Sequence, residues 1–149
     1  YCMTGWRLGY LVTEPKLAAQ LAQMQEFVTS HAPSMAQVAA ITALRAGEPF
    51  AQESLERYRR LCAIAEAGLR ALPGAIVARP EGAFYAFFRL PGSADSVAFC
   101  RDLVTRTGLM LAPGAAFGAG GEGWLRLCFA HEPAALEEAF GRLRGFLGA

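Results

Sequence analysis

Lysine is almost missing from this chain: of 14 cationic side chains, 13 are arginines and one is Lys16. Chemistry that needs an amine must use Lys16 or go without. Lys16 stands beside Glu14 and Pro15 in the first turn of a helical pattern, where a solvated surface lysine is the simplest reading. Histidine is nearly as scarce, with only His31 and His131, which argues against a metal site or a Ser-His-Asp triad. His131-Glu132-Pro133 begins like H-E-x-x-H, but Ala135 stands where the second histidine belongs. The four cysteines, Cys2, Cys62, Cys100 and Cys128, show no C-x-x-C spacing. Lying in apolar segments, they read as reduced, buried thiols. No apolar run approaches the roughly 18 residues of a membrane helix, and the first residues lack the pattern of a secretion signal. Net charge is +1, with acids and bases interspersed, so no basic stripe offers a nucleic-acid surface. A soluble, cytoplasmic globular protein without nucleic-acid or membrane partners is expected.

What is present is apolar substance. The chain has 149 residues, 54% of them hydrophobic, enough for one domain or for the tail of one plus a smaller second. Leu8–Val12 reads as a buried strand. Thr13 is a plausible N-cap before Pro15, and Leu17, Leu21, Met24 and Val28 mark one helical face up to about Thr29. Ser34-Met35-Ala36-Gln37 has the form of a capping box. The helix it opens carries Val38, Ile41 and Leu44 and ends at Gly47. A longer helix, about Pro49 to Leu72, has a seam of Leu55, Tyr58, Cys62, Ala65, Leu69 and Leu72. Glu53 with Arg57, Glu56 with Arg60, and Glu66 with Arg70 are acid-first i,i+4 pairs on its wet side.

After Pro73-Gly74 the pattern turns to strands. Ala75–Ala78, Ala83–Leu90, Leu109–Ala112 and Trp124–Phe129 are four candidates. A helix capped by Asp95 or Ser96 and closed by Gly108 lies between the second and third, and another starts at Pro133. Its apolar face is Leu136, Phe140, Leu143 and Leu147. The order β-β-α-β-β-α predicts one sheet covered by helices on a single face. The fold class is therefore α/β: residues 1–47 read as the remnant of a larger domain, and residues 48–149 as a long linking helix plus a small domain with a roughly four-stranded sheet.

Gly118-Ala119-Gly120-Gly121-Glu122-Gly123 spells G-x-G-x-x-G, but a strand rather than a helix follows it. A dinucleotide site is thereby rejected. Two arginines carry more. Arg7, between Gly5 and Gly9, stands at the mouth of an apolar segment where its fork can clamp a phosphate or pair with a surface carboxylate. Arg126 lies on an apolar strand, on the same face as Trp124 and Cys128. A charge there calls for a carboxylate, from within the protein or from a ligand. Glu122 and Glu132 sit beyond the two ends of that strand, which leaves room for a ligand.

Four motifs in order carry a resemblance. Met3-Thr4-Gly5-Trp6-Arg7-Leu8-Gly9-Tyr10, Pro80-Glu81-Gly82-Ala83-Phe84-Tyr85, Pro113-Gly114-Ala115-Ala116-Phe117-Gly118 and Gly123-Trp124-Leu125-Arg126-Leu127 resemble segments of the class I/II aminotransferases. These are fold type I enzymes that use pyridoxal 5′-phosphate (PLP). The resemblance implies the C-terminal part of such an enzyme: the end of the large domain, the linking helix and the small domain. Arg7 would bind the cofactor phosphate, Arg126 the substrate α-carboxylate, and Phe117 with its loop would close over the substrate. The lysine that carries PLP and shuttles the α-proton is expected two residues before Tyr1, outside the sequence, so no catalytic residue is assigned and the chain alone is expected to be inactive. Amino acids and 2-oxo acids as substrates, and a homodimer with its interface near Ser30–Ser34, are likewise implied. A carbon–sulfur lyase or cyclopropane-forming synthase of the same superfamily shares both arginines, and a non-catalytic dimerising or regulatory module is the alternative of a different class.

Overall fold

The computed structural model describes residues 1–148. The chain divides into two compact units, Tyr1–Leu55 and Glu56–Ala149, with the division inside the longest helix.

The first unit opens with a 3-10 turn, Thr4–Trp6, followed by an extended segment and the helices α1 (Pro15–Val28) and α2 (Ser34–Ala46). Leu8–Val12 is not a strand. No described residue pairs with it, and Tyr10, Leu11 and Val12 are 77%, 70% and 84% exposed. An apolar run supplies only half of a strand; a ladder partner supplies the rest. α1 keeps the expected bounds, although its N-cap is Glu14 rather than Thr13 and makes no side-chain cap bond. The capping box at Ser34 does not form: Ser34 is already the first helical residue after Pro33, and Gln37 Nε2 donates to the Ala32 carbonyl at 2.7 Å. Ala36 is the only buried residue in this unit. Leu17, Met24, Val28, Val38, Ile41 and Leu44, the expected inner faces of both helices, are exposed.

α3 spans Glu48–Arg70. Leu61, Ala65 and Leu69 bury one stripe of its second-unit part, and Leu72 continues it beyond the helix end. Of the three expected ion pairs only Glu66–Arg70 forms, at 2.6 Å. Arg57 turns instead to Glu132 at 2.8 Å, and Glu56 takes Arg59. Apart from the partly buried Glu66, these side chains are largely exposed, so the choice among partners costs little.

The rest of the second unit follows the expected order: β1 (Ile76–Val77), β2 (Tyr85–Arg89), α4 (Ser96–Thr107), β3 (Ala112–Pro113), β4 (Leu125–Cys128) and α5 (Pro133–Leu147). The strands form one antiparallel sheet in the order β1-β2-β4-β3. β2 and β3 therefore run the same way with β4 inserted between them, a split β-α-β unit. α4 starts as expected: Asp95 Oδ1 accepts from Ala98 N at 2.8 Å, and Gly108 closes the helix at φ 70°.

Alternation decides the two faces of the sheet. Ala86 and Phe88 of β2 and Leu125 and Leu127 of β4 are buried, and they join Leu61, Leu69, Leu103, Leu136, Phe140 and Leu143 in one core under α3, α4 and α5. Tyr85, Phe87, Arg126 and Cys128 point to the opposite face and are half-buried. Single-sided helix cover thus leaves one face of the sheet open.

Candidate functional site

The open face carries Arg126. β2 and β4 pair with Tyr85 opposite Cys128 and Phe87 opposite Arg126, while Ala112 of β3 faces Arg126 from the other side. The small Ala112 leaves room beside the guanidinium, and Tyr85 supplies a ring, with Arg126 Cζ 4.1 Å from its centroid. A second ring comes from the loop between β3 and β4. That loop is not featureless: it forms two 3-10 turns, Gly114–Phe117 and Ala119–Gly121. Phe117 ends the first turn, and its centroid lies 4.2 Å from Arg126 Cζ. Phe117 also meets Phe87 edge-on at 5.9 Å, and Phe87 stacks on Trp124 at 5.7 Å. An aromatic floor thus surrounds the guanidinium, and contacts between a cation and ring faces contribute about 0.5–2 kcal/mol each.

Among the described residues no carboxylate reaches Arg126: the ion pairs engage Arg57, Arg59, Arg70, Arg106 and Arg142. The two acids nearest in sequence are committed elsewhere. Glu132 pairs with Arg57. Glu122 Oε1 accepts from Ser96 N at 2.8 Å and from Gly123 N at 3.0 Å. Those two backbone donors, with the Ser96 hydroxyl, hold the Glu122 carboxyl below the usual carboxylate range. Arg126 therefore presents a planar fork of N–H donors, flanked by rings, with no carboxylate partner among the described residues. A carboxylate is the anion whose two oxygens match that fork.

In the first unit, Arg7 stands just past the 3-10 turn in the left-handed region, at φ 53° and ψ 42°. A non-glycine residue held there stores about 1 kcal/mol or more of strain. Its guanidinium is exposed, donates one bond to the Thr4 carbonyl at 3.3 Å and has no ion-pair partner among the described residues. At Gly5 and Gly9 an added Cβ would meet nothing within 4 Å, so the approach to the arginine is open. Arg7 borders a cleft of about 840 Å³ whose walls include Ala22 of α1 and Ala40, Ile41 and Leu44 of α2. Lys16 is exposed in the first turn of α1.

The cysteines divide. Cys100 is buried and Cys62 and Cys128 are half-buried, but Cys2 is exposed, against the expectation for all four. Burial, helped by the nearby Glu66 carboxylate, pushes the Cys62 thiol up, and burial does the same to Cys100. Protonated thiols of that kind are poor nucleophiles. The G-x-G-x-x-G letters form the second 3-10 turn and lead into β4, with no helix to receive a pyrophosphate. No helix among the described residues is long and apolar enough to cross a membrane.

The family model for "Aminotransferase class I and II" matches residues 1–143. The chain belongs to that family. Its relatives include the aspartate aminotransferase of Thermotoga maritima, 35% identical over all of this chain and 37% of the relative, and that of Pyrococcus horikoshii, 33% identical over 96% and 37%. An LL-diaminopimelate aminotransferase of Nitratidesulfovibrio vulgaris is 34% identical over the same shares. The crystal structure of the T. maritima aspartate aminotransferase superposes with a TM-score of 0.88, covering 99% of this chain and 37% of that one. The mixed α/β architecture is thus that of the C-terminal portion of a fold type I aminotransferase. The chain spans about 37% of the length of the relatives it matches.

Of the residues singled out from the sequence, Arg126 and Phe117 lie in contact in the second unit, and Arg7 borders the cleft of the first. Sequence reasoning missed Tyr85 as the second ring on Arg126, although alternation along β2 places Tyr85 and Phe87 on one face. It also missed the role of Glu122, whose partner Ser96 begins a helix 26 residues earlier.

Proposed function

We propose that this chain is the C-terminal part of a PLP-dependent aminotransferase that moves an amino group between an amino acid and a 2-oxo acid. The observation that carries the reading is Arg126: a half-buried guanidinium against the rings of Tyr85 and Phe117, with no carboxylate partner among the described residues. In this reading Arg126 holds the α-carboxylate common to the amino acid and the 2-oxo acid, and Phe117 covers the bound substrate and keeps water from it. Arg7 fits the cofactor phosphate, because all but one of its N–H donors are uncommitted and the flanking glycines leave the approach open. When bound, PLP supplies the electron sink for amino transfer.

Residues 1–47 belong to the large domain in this reading, and 48–149 to the linking helix and small domain. The apolar side chains exposed on the first unit, Tyr10, Leu11, Val12, Phe27 and Val28 among them, support a place within a larger domain over that of a stand-alone binding module. The exposed Ser30–Ser34 segment suits a homodimer contact. The chain alone does not catalyse transamination, since the only amine side chain, Lys16, projects from an exposed helical turn. The setting proposed is the cytoplasm.

The test is an amino-donor screen with the intact subunit and with the isolated 149-residue chain. Transfer by the intact subunit and none by the isolated chain is expected. Transfer by the isolated chain that survives Lys16→Ala would overturn the inactive-fragment reading. Release of a thiol and a 2-oxo acid from cysteine conjugates, without amino transfer, would make the protein a carbon–sulfur lyase instead.

A further inference from the structure

The loop that carries Phe117 has few means of holding itself. Five of its residues between Pro113 and Gly123 are glycines, and neither 3-10 turn has a side-chain cap. Gly118 sits at φ 103° and ψ 171°, where only glycine is comfortable. Main-chain bonds tie the loop base, with Gly114 N donating to Trp124 O at 2.8 Å and Trp124 N to Gly121 O at 3.0 Å. Gly114 and Gly121 touch so closely that a Cβ on Gly114 would lie 1.9 Å from the Gly121 oxygen.

Besides the contacts of Phe117 with Phe87 and Arg126, side-chain hydrogen bonds tie the loop to the segment leading into α4. Ser93 and Ser96 are the buried polar side chains of the described residues, and both are spent here. Ser93 Oγ donates to Gly123 O at 2.8 Å and accepts from Leu90 N at 3.3 Å. Ser96 Oγ accepts from Ala115 N at 3.2 Å, two residues before Phe117. From the other arm of the loop, Glu122 Oε1 reaches Ser96 N and Gly123 N. Asp95 accepts from Ala98 N, and Glu122 takes a different free donor of the first turn of α4, Ser96 N. Glu122 thus joins the helix start to the loop.

We propose that Glu122 and Ser96 are positioning residues of the carboxylate site. By clamping both arms of the glycine-rich loop to the first turn of α4, they set the Phe117 ring against Arg126 and keep its fork turned to the substrate. Without the clasp, a loop this rich in glycine samples many conformations, and ordering it again on each substrate binding weakens that binding. The proposal rests on the reading of Arg126 as the carboxylate receptor.

The experiment compares E122A, E122Q, S96A and R126M in the intact aminotransferase subunit, with kcat, KM and the thermal midpoint for each. E122A is expected to raise KM for the amino acid by about tenfold while kcat changes less than about threefold. E122Q is expected to recover most of the loss, since its amide oxygen still accepts from Ser96 N and Gly123 N. Should E122A not fold, E122D carries the test: it keeps the charge one methylene short of the two donors, and KM rises in the same direction. S96A raises KM by releasing Ala115. If R126M leaves KM unchanged, the carboxylate reading itself fails and this proposal goes with it. If R126M raises KM while E122A and S96A leave it unchanged, or lower kcat in step with the thermal midpoint, the clasp is merely structural and the proposal alone is overturned.

Discussion

Replacing Arg126 separates a structural arginine from one that awaits a ligand, because the two roles predict opposite effects on stability. A fork that receives a carboxylate makes two charge-assisted hydrogen bonds, each contributing about 1.5–3 kcal/mol. Arg126 is only half-buried, so the lower part of the sum applies, about 3–4 kcal/mol for the pair. At 1.36 kcal/mol per tenfold, Arg126→Met should cut kcat/KM by about two to three decades. The loss should hold for both the amino acid and the 2-oxo acid, since they share the carboxylate. Arg126→Lys keeps the charge but loses the planar fork, so about one to two decades are expected. The protein itself should not suffer. Among the described residues no carboxylate pairs with Arg126, and a methionine against Tyr85 and Phe117 offsets the lost cation–ring contacts with sulfur–aromatic contact while removing a half-buried charge. The thermal midpoint of Arg126→Met should equal or exceed that of the parent. Steady-state kinetics and a melt on the intact subunit suffice. A fall of several degrees with kcat/KM unchanged would refute the reasoning, because it would mean that Arg126 serves an internal ion pair.

Gly68 lies in α3 where an added Cβ would stand 2.3 Å from Phe140 Cε2. Gly68→Ala gains about 1 kcal/mol of helix propensity, but Phe140 is only 4% exposed and its ring cannot swing away, so overpacking of about 1–3 kcal/mol wins. Urea denaturation should show a net loss of about 1 kcal/mol, and a gain would show that α5 shifts freely. Glu122 gives a pH dependence of known sign: its carboxyl is held low in the folded protein, by Ser96 N first and Gly123 N next. Its stabilisation is complete above the ordinary carboxylate range and is lost as pH falls through the depressed folded value. The difference in midpoint between parent and Glu122→Gln should therefore be flat near neutrality and shrink in acid, and a difference that grows in acid would reverse the assignment.

The parts of this protein that sequence reasoning reached are those set by local chemistry. α3, α4 and α5 appear where apolar spacing and terminators put them, with Asp95 and Gly108 at the ends of α4. The sheet face of Arg126 also followed, because alternation needs no knowledge of partners. The errors share a cause. Leu8–Val12 has the letters of a buried strand, but pairing is tertiary, and no described residue pairs with it. Leu17, Met24 and Val28 have helical spacing, but spacing cannot say whether anything covers the face. The Ser34 box failed because Pro33 took the N-cap place, which shifted every partner by one residue.

The site divides along the same line, and the division bears on how it works. Arg126 and Phe117 could be named from short motifs, but neither motif says that the two touch. Their contact depends on a loop that leaves the sheet at Pro113, turns twice and returns at Trp124. Its course is fixed by Ser93, Ser96 and Glu122, residues that look like ordinary turn and surface positions. A strand arginine keeps its backbone through its ladder bonds to β2 and β3, so its charge is always at the site. The ring beside it sits on a glycine-rich loop of high conformational entropy, tied by main-chain bonds at its base, by side-chain bonds to the start of α4 and by the contact of Phe117 with Phe87. On the proposed reading, carboxylate affinity is therefore open to variation in the clasp as well as in the arginine, because Glu122 and Ser96 act on Phe117 without meeting the substrate themselves.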